Sequence, residues 1–331
     1  MRDIEDSLHP GGSRITGILR IGTRGSALAL TQTRWVADKL KQQLPDAIIE
    51  VKIIKTKGDI LQDISLSEVG GKGLFVKEIE EALLRGDIDL AVHSMKDVPV
   101  EIPDALEIGI MTEREDPRDV LISKSNRALE EMPRSARIGT GSLRRGFQLK
   151  SLYPAMEVVP LRGNLDTRIN KITTMNLDGI IVAAAGMKRM GWTHRISQYI
   201  ALEAMLPSVG QGVLGIEIRK EDQAIKDTVA FINHPETWLE VTAERAFLKR
   251  LEGGCQLPVA GYAEKKGSKL ILKGLLGSPD GHMMIRDEIE GSCEGAEMIG
   301  VSLAERILSC GGKAILESVC RNDSGTHSLG G

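Results

Sequence analysis

The sequence predicts an α/β fold made of two similar units, followed by a smaller α+β unit. Three observations carry that expectation. Short runs rich in isoleucine, leucine and valine alternate with longer stretches whose apolar residues recur at helical spacing. Polar, glycine-containing turns follow one strand after another, at Thr23-Arg24-Gly25-Ser26, Thr140-Gly141-Ser142 and Arg162-Gly163-Asn164. Beyond residue 231 the pattern changes to one long helix, a hairpin and a closing helix.

In order along the chain, residues 18–22 read as a strand. Ser26 is placed to cap a helix reaching Leu44, with Val36, Leu40 and Leu44 at helical spacing and Pro45 beyond. Residues 48–55 form a second strand. Gly70-Gly71-Lys72-Gly73 opens a helix whose apolar face carries Phe75, Val76, Ile79, Ala82 and Leu83, and Gly86 ends it. The next strand stops near His93, because Ser94, Lys96 and Asp97 arrive together just before Pro99. Glu113-Arg114-Glu115-Asp116-Pro117-Arg118-Asp119 reads as a solvated crossover between the two units.

The second unit starts at Val120-Leu121-Ile122 and places strands at 137–139, 156–161 and 179–184. Helices open after Thr140 and after Arg162. Residues 213–218 form a strand that returns to the first unit. An amphipathic helix over 235–252 stops at Gly253-Gly254, leaving Cys255-Gln256-Leu257-Pro258 in an open loop. Strands at 269–276 and 283–290, joined by Ser278-Pro279-Asp280-Gly281, make a hairpin, and a helix over 294–310 closes the unit. Residues 1–17 and 322–331 read as tails.

Composition narrows the function. Aromatic residues make up only 3% of the chain, which argues against stacking platforms for single-stranded nucleic acid. A formal net charge of -3 argues against a general polyanion binder but leaves room for a local basic cleft. No apolar run is long enough to span a membrane, and the start Met-Arg-Asp-Ile-Glu-Asp is not a signal peptide, so a cytoplasmic protein is expected. The four cysteines at 255, 293, 310 and 320 have no paired spacing, so no metal site is expected and reduced thiols are the default.

The polar turns supply Arg24, Lys72, Lys96, Arg144, Arg145, Arg162, Arg168 and Arg189. Any one of these would ordinarily be a surface charge. Eight of them after strands, in a chain that is acidic overall, point to a cleft for an anion with several carboxylates. Lys96 and Asp97 stand at the carboxyl end of a strand, where open α/β sheets bind ligands. Gly70-Gly71-Lys72-Gly73 is not a phosphate-binding P-loop, since position 66 is leucine and Lys72 is followed by glycine. Cys255 is the one cysteine in a glycine-flanked loop, where a thiolate near arginines becomes a competent nucleophile.

Taken together, Ile21-Gly22-Thr23-Arg24-Gly25-Ser26, 69–78, 91–99, 140–145, 161–168 and Gly254-Cys255-Gln256-Leu257-Pro258 closely resemble the porphobilinogen deaminase (hydroxymethylbilane synthase) family. The resemblance runs from about residue 19 to about 318. It implies two type II periplasmic-binding-protein-like domains and a small C-terminal α+β domain. The expected boundaries are 1–112 with 213–231, 113–212, and 232–331.

It also implies a transferase of tetrapyrrole, and hence heme, biosynthesis. Four porphobilinogen molecules join head to tail, each losing ammonia, on a dipyrromethane cofactor held by a thioether to Cys255, and water releases hydroxymethylbilane. By resemblance Asp97 is the catalytic carboxylate. Lys96, Asp97, Thr140, Ser142, Arg144, Arg145 and Arg189 contact the cofactor, Arg24, Ser26, Arg162 and Arg168 the substrate, and Lys72 and Phe75 sit in a loop covering the cleft. Glu68 departs from the lysine of many relatives. A monomer is expected, with the product passed to uroporphyrinogen-III synthase and no nucleic-acid or membrane partner. The competing readings are a solute-binding module for a carboxylate-rich ligand, which has no use for a thioether at Cys255, and a thiol hydrolase, whose cysteine would react with iodoacetamide.

Overall fold

A computed structural model of the chain describes residues 17–60, 76–251 and 258–317. The first sheet uses β1 (Ile18–Thr23), β2 (Ile48–Ile53), β3 (Leu90–Ser94), β4 (Leu106–Met111) and, from much later in the chain, β10 (Leu214–Arg219). Its strand order is β2-β1-β3-β10-β4. The first three strands are parallel, and β10 runs antiparallel between β3 and β4. Leu90, Ala91, Val92 and His93 are all buried, as central strands covered on both faces require. Helix α1 (Ala27–Gln43) begins where Ser26 Oγ accepts the Ala29 N–H at 3.2 Å, and it buries Val36 and Leu40. A short α2 (Lys57–Ile60) and then α3 (Lys77–Leu84) follow β2, with Ile79, Ala82 and Leu83 packed inward.

The second sheet repeats the plan. Strands β5 (Asp119–Ser123), β6 (Arg137–Thr140), β7 (Glu157–Pro160), β8 (Gly179–Ala183) and β9 (Gln198–Tyr199) lie in the order β7-β6-β8-β5-β9. Again three parallel strands are followed by an antiparallel one, here β5 against β8. Helices α4 (Leu143–Leu152), α5 (Leu165–Thr174) and α6 (Ala184–Arg189) follow β6, β7 and β8. In each sheet the antiparallel strand is the one reached through a crossover from the other sheet, so the chain passes between the lobes twice.

After α7 (Gln223–Val229), the long α8 (Pro235–Leu251) leads to a three-stranded antiparallel sheet. Its strands are β11 (Val259–Lys266), β12 (Lys269–Gly277) and β13 (Met284–Ser292), and α9 (Ala296–Ile307) packs on it beside α8. Phe247, Leu272, Leu303 and Ile307 fill the core between helices and sheet.

Two expectations need correction. The 113–119 crossover is only partly solvated. Arg114 is buried and donates to Glu240 at 3.3 Å and Glu244 at 2.8 Å, both on α8, and Asp119 is wholly buried. Glu244 is itself buried and also accepts the Gly210 and Ala263 N–H groups at 2.7 and 2.9 Å. A charged run stays out of water when its partners come from distant segments. The crossovers press together here: a Cβ on Gly212, whose φ is +92, would lie 2.2 Å from the Glu115 carbonyl oxygen. The second correction is β11, absent from the sequence reading. Its inward residues include the small Ala260 and Ala263, which blur the alternation that marks a strand. The opening of the α3 region at 70–75 and the loop carrying Cys255 lie outside the described residues.

Candidate active site

A cleft of about 620 Å³ opens between the two five-stranded sheets. The turn before α1 brings Arg24 and Ser26 to it, and the turn after β3, a single 3-10 turn over Met95–Asp97, brings Lys96 and Asp97. Facing them across the cleft, the end of β6 and the start of α4 supply Thr140, Ser142 and Arg145, the turn before α5 supplies Arg162, the first turn of α5 supplies Arg168, and α6 supplies Arg189. The α4 turn is tight. Ser142 Oγ accepts the Arg145 N–H at 3.4 Å, and a Cβ on Gly141 would meet the Leu161 carbonyl oxygen at 2.2 Å. Among the described residues, seven cationic side chains line the cleft (Lys150 is the seventh) against two carboxylates, Asp97 and Asp166. Helix N-termini at α1, α4 and α5 add backbone donors to that excess of positive charge.

Arg144 is the one described member of the expected set that does not line the cleft. It turns inward, donating from one Nη1 to Asp119 at 2.7 Å and to the Leu206 carbonyl at 2.7 Å. Arg145 reaches the same carboxylate with Nε at 3.0 Å and Nη2 at 2.9 Å, and Gln211 adds a third donor at 3.0 Å. Burial alone would push the Asp119 carboxyl up, but the two guanidiniums outweigh it and hold it well below the usual carboxylate range. Asp119 and Gln211 are site residues that sequence reasoning missed. The one available signal was a charge directly before the apolar strand Val120-Leu121-Ile122.

Among the described residues, three of the cleft cations, Lys96, Arg168 and Arg189, have no carboxylate bonded to them. Lys96 Nζ has no hydrogen-bonded partner among the described residues, and its enclosure in the cleft lowers it to about 8 despite the adjacent Asp97. Arg168 donates Nε to the Gly163 carbonyl at 2.7 Å, and Arg189 donates Nη2 to the Gly212 carbonyl at 2.6 Å. Burial lowers both guanidiniums, Arg189 to about 10. Asp97 is exposed to the cleft.

Two sequence models of one family match the chain: "Porphobilinogen deaminase, dipyromethane cofactor binding domain" over residues 19–227, and "Porphobilinogen deaminase, C-terminal domain" over 238–309. The chain belongs to the porphobilinogen deaminase family. It is 57% identical over 299 residues to the porphobilinogen deaminase of Syntrophus aciditrophicus, covering 90% of this chain and 98% of that one. It is 50% identical over 305 residues to that of Pelobacter propionicus, covering 92% and 98%. Among solved structures, the methionine-binding protein MetQ aligns over 64% of this chain and 89% of its own at a TM-score of 0.40 and 13% identity, too distant a likeness to inform the ligand. The two five-stranded sheets and the three-stranded sheet give the two α/β units and the smaller α+β unit that the sequence predicts.

The cleft fits the family's dipyrromethane group. That group carries carboxylates, and the walls offer Lys96, Arg168 and Arg189 without an internal carboxylate bonded to them. The buried Arg144 Nε is also without a partner among the described residues. Cys255, Lys72 and Phe75 lie outside the described residues. Among those residues there is no cluster of metal-ligating side chains and no helix long and apolar enough to cross a membrane.

Proposed function

We propose that this chain is the transferase its family name describes: it joins four porphobilinogen molecules head to tail with loss of ammonia and releases hydroxymethylbilane by hydrolysis. The observation that carries the reading is a cleft that, among the described residues, sets seven cations against two carboxylates, one of which, Asp97, stands at the carboxyl end of β3. Each pyrrole of substrate and product bears an acetate and a propionate, which is the ligand chemistry such a cleft selects. Three domains, bounded at 1–112 with 213–231, 113–212 and 232–331, are part of the same reading.

Bound through Cys255, dipyrromethane would supply the pyrrole carbon from which the chain is extended. The protein's part is to hold carboxylates and to steady charge. Lys96, Thr140, Ser142, Arg145 and Arg189 take the cofactor side, and Arg24, Ser26, Arg162 and Arg168 the substrate side. Arg144 acts from behind, keeping Arg145 aimed through the shared Asp119. Asp97 lies where a negative group opposes the positive charge that develops on the substrate as ammonia leaves.

Two measurements test this. Intact mass should exceed the sequence mass by a dipyrromethane unit mapped to Cys255, with Cys293, Cys310 and Cys320 free. Asp97→Asn should keep the attached group and slow single-turnover ammonia release by about 10²-fold or more. An unmodified mass with full activity would overturn the function, and near-normal release from Asp97→Asn would reduce Asp97 to a positioning role.

A further inference from the structure

Of the seven described cations that line the cleft, Lys150 alone has no part in the reading above. It stands in the last turn of α4 and is half-buried. Leu143, Gly146 and Lys150 recur at helical spacing and all line the cleft, so one face of α4 forms a stretch of its wall. Gly146 puts no side chain on that face between the start of the helix and Lys150. Among the described residues Lys150 Nζ has no hydrogen-bonded or ionic partner. Asp280, on the neighbouring hairpin, is already engaged, accepting the Ser278 hydroxyl and, at 3.0 Å, the His282 N–H. A lysine in the last turn of a helix has one ordinary use, to offset the partial negative charge of that end. Its surroundings give it another.

What packs against Lys150 is the unit that carries Cys255. The turn between β12 and β13 closes on this part of α4. A Cβ on Gly281, whose φ is +82, would lie 3.0 Å from Lys150 Cβ and 3.0 Å from the Phe147 carbonyl oxygen. One turn earlier in α4, the Phe147 ring fills the space a side chain on Gly277 would need, 2.5 Å from such a Cβ. Pro279, at the tip of the turn, lines the same cleft as Lys150. At its base the Gly277 N–H donates to the Pro258 carbonyl at 3.1 Å. Pro258 follows Cys255 by three residues, about 11 Å of chain at full extension. Lys150 therefore marks the part of the cleft where the cysteine's unit abuts the second lobe.

We propose that Lys150 is a further binding residue for the attached dipyrromethane, holding one of its carboxylates where the C-terminal unit meets the cleft. The proposal rests on the reading of Cys255 given above. A half-buried ammonium without an internal anion attracts a carboxylate more strongly than a fully solvated one does, because salt and water screen it less. The contacts of Gly277 and Gly281 with α4 fix the lysine's backbone against the unit to which the group is attached. The fold thus sets the separation of ammonium and ligand, and the flexible stem makes the final adjustment.

The test compares wild type, Lys150→Met, Cys255→Ser and the double variant. Methionine keeps an apolar stem and removes the charge. Intact mass first shows which proteins carry the group. In the loaded protein Lys150→Met should lower the denaturant midpoint, and in the Cys255→Ser background, with no group to hold, it should leave the midpoint unchanged. Apoprotein given porphobilinogen should gain the dipyrromethane mass several-fold more slowly in Lys150→Met, and Lys150→Arg should restore the rate. A Lys150→Met protein that never gains the mass, while Lys150→Arg does, supports the proposal equally. Equal losses of midpoint in both backgrounds, as a helix-end charge alone would give, overturn it. A wild-type rate of mass gain with no loss of midpoint in the loaded protein overturns it as well. A wild-type protein without the added mass would instead overturn the reading of Cys255.

Discussion

The arginines of α4 and those of its neighbours α5 and α6 show one side chain put to opposite uses. Arg144 and Arg145 are buried and close on an internal carboxylate, Asp119, so their charge is answered before any ligand arrives. Arg168 and Arg189 are half-buried and bond only to backbone carbonyls, so theirs is answered incompletely. Arg144, closed on that anion away from the cleft, serves as a structural tie, whereas Arg145 shares the anion and still lines the cleft. A guanidinium without an anion retains its attraction for a carboxylate, and the protein bears the desolvation until the ligand relieves it. Residue type does not separate the two uses; the presence of an internal anion does.

The largest effect should come from breaking the internal pair. Asp119→Asn leaves two buried guanidiniums facing a neutral amide, and removing one partner of a buried ion pair costs about 3–5 kcal/mol. Denaturant titration should show that loss as a lower midpoint with an unchanged slope. The pH dependence has a definite sign. A carboxyl depressed by folding contributes stability above its unfolded value of about 3.9, and that contribution disappears as pH falls from there through the folded value. The Asp119→Asn protein should lack that part of the acid slope. A midpoint equal to wild type would show that Arg144 and Arg145 do not need Asp119.

Next in size, Arg168→Ala should leave stability within about 1 kcal/mol while removing about 2–5 kcal/mol of ligand contact. Mass spectrometry should find the attached group intact and chain growth blocked. Normal turnover would sink its place on the substrate side. The smallest effect sharpens the comparison at Lys96. Enclosure lowers this ammonium to about 8, and a bound carboxylate raises it again. Above pH 8, attachment of the dipyrromethane group to the apoprotein should therefore take up a fraction of a proton, up to about one. Calorimetry in two buffers of different ionisation enthalpy would register it, and Lys96→Met should abolish the difference. Equal heats for the wild-type protein would mean that Lys96 does not meet the ligand.

What was legible in the sequence was local. Ser26 announced its helix because a cap bonds three residues away, and residues 213–218 announced a strand by their apolar run, realised as β10. The cationic turns after strands were equally readable, and all the described ones except Arg144 reached the cleft. The exception has a geometric cause: successive helical residues point roughly 100° apart, so Arg144 and Arg145 could not both face the same way. Asp119 was misread with its charged neighbours because its partners stand 25 and 26 residues further along, and Arg114 because Glu244 stands 130 away. Nothing in a local run distinguishes a charge that meets water from one that meets a distant opposite charge.

Strands β4 and β10 are hydrogen-bonded neighbours, with Met111 opposite Gly215 and the Thr112 N–H donating to the Leu214 carbonyl at 3.0 Å. Between those two points the chain leaves, builds the whole of the second sheet, and comes back. The second sheet in turn starts and finishes on paired strands, with Val120 opposite Tyr199. The lobe is thus threaded as a cassette with both splice points side by side. A lobe from a relative could be grafted at 112 and 213 without rerouting a single strand, leaving the Lys96–Asp97 turn in place while the opposite wall of cations is exchanged as a block.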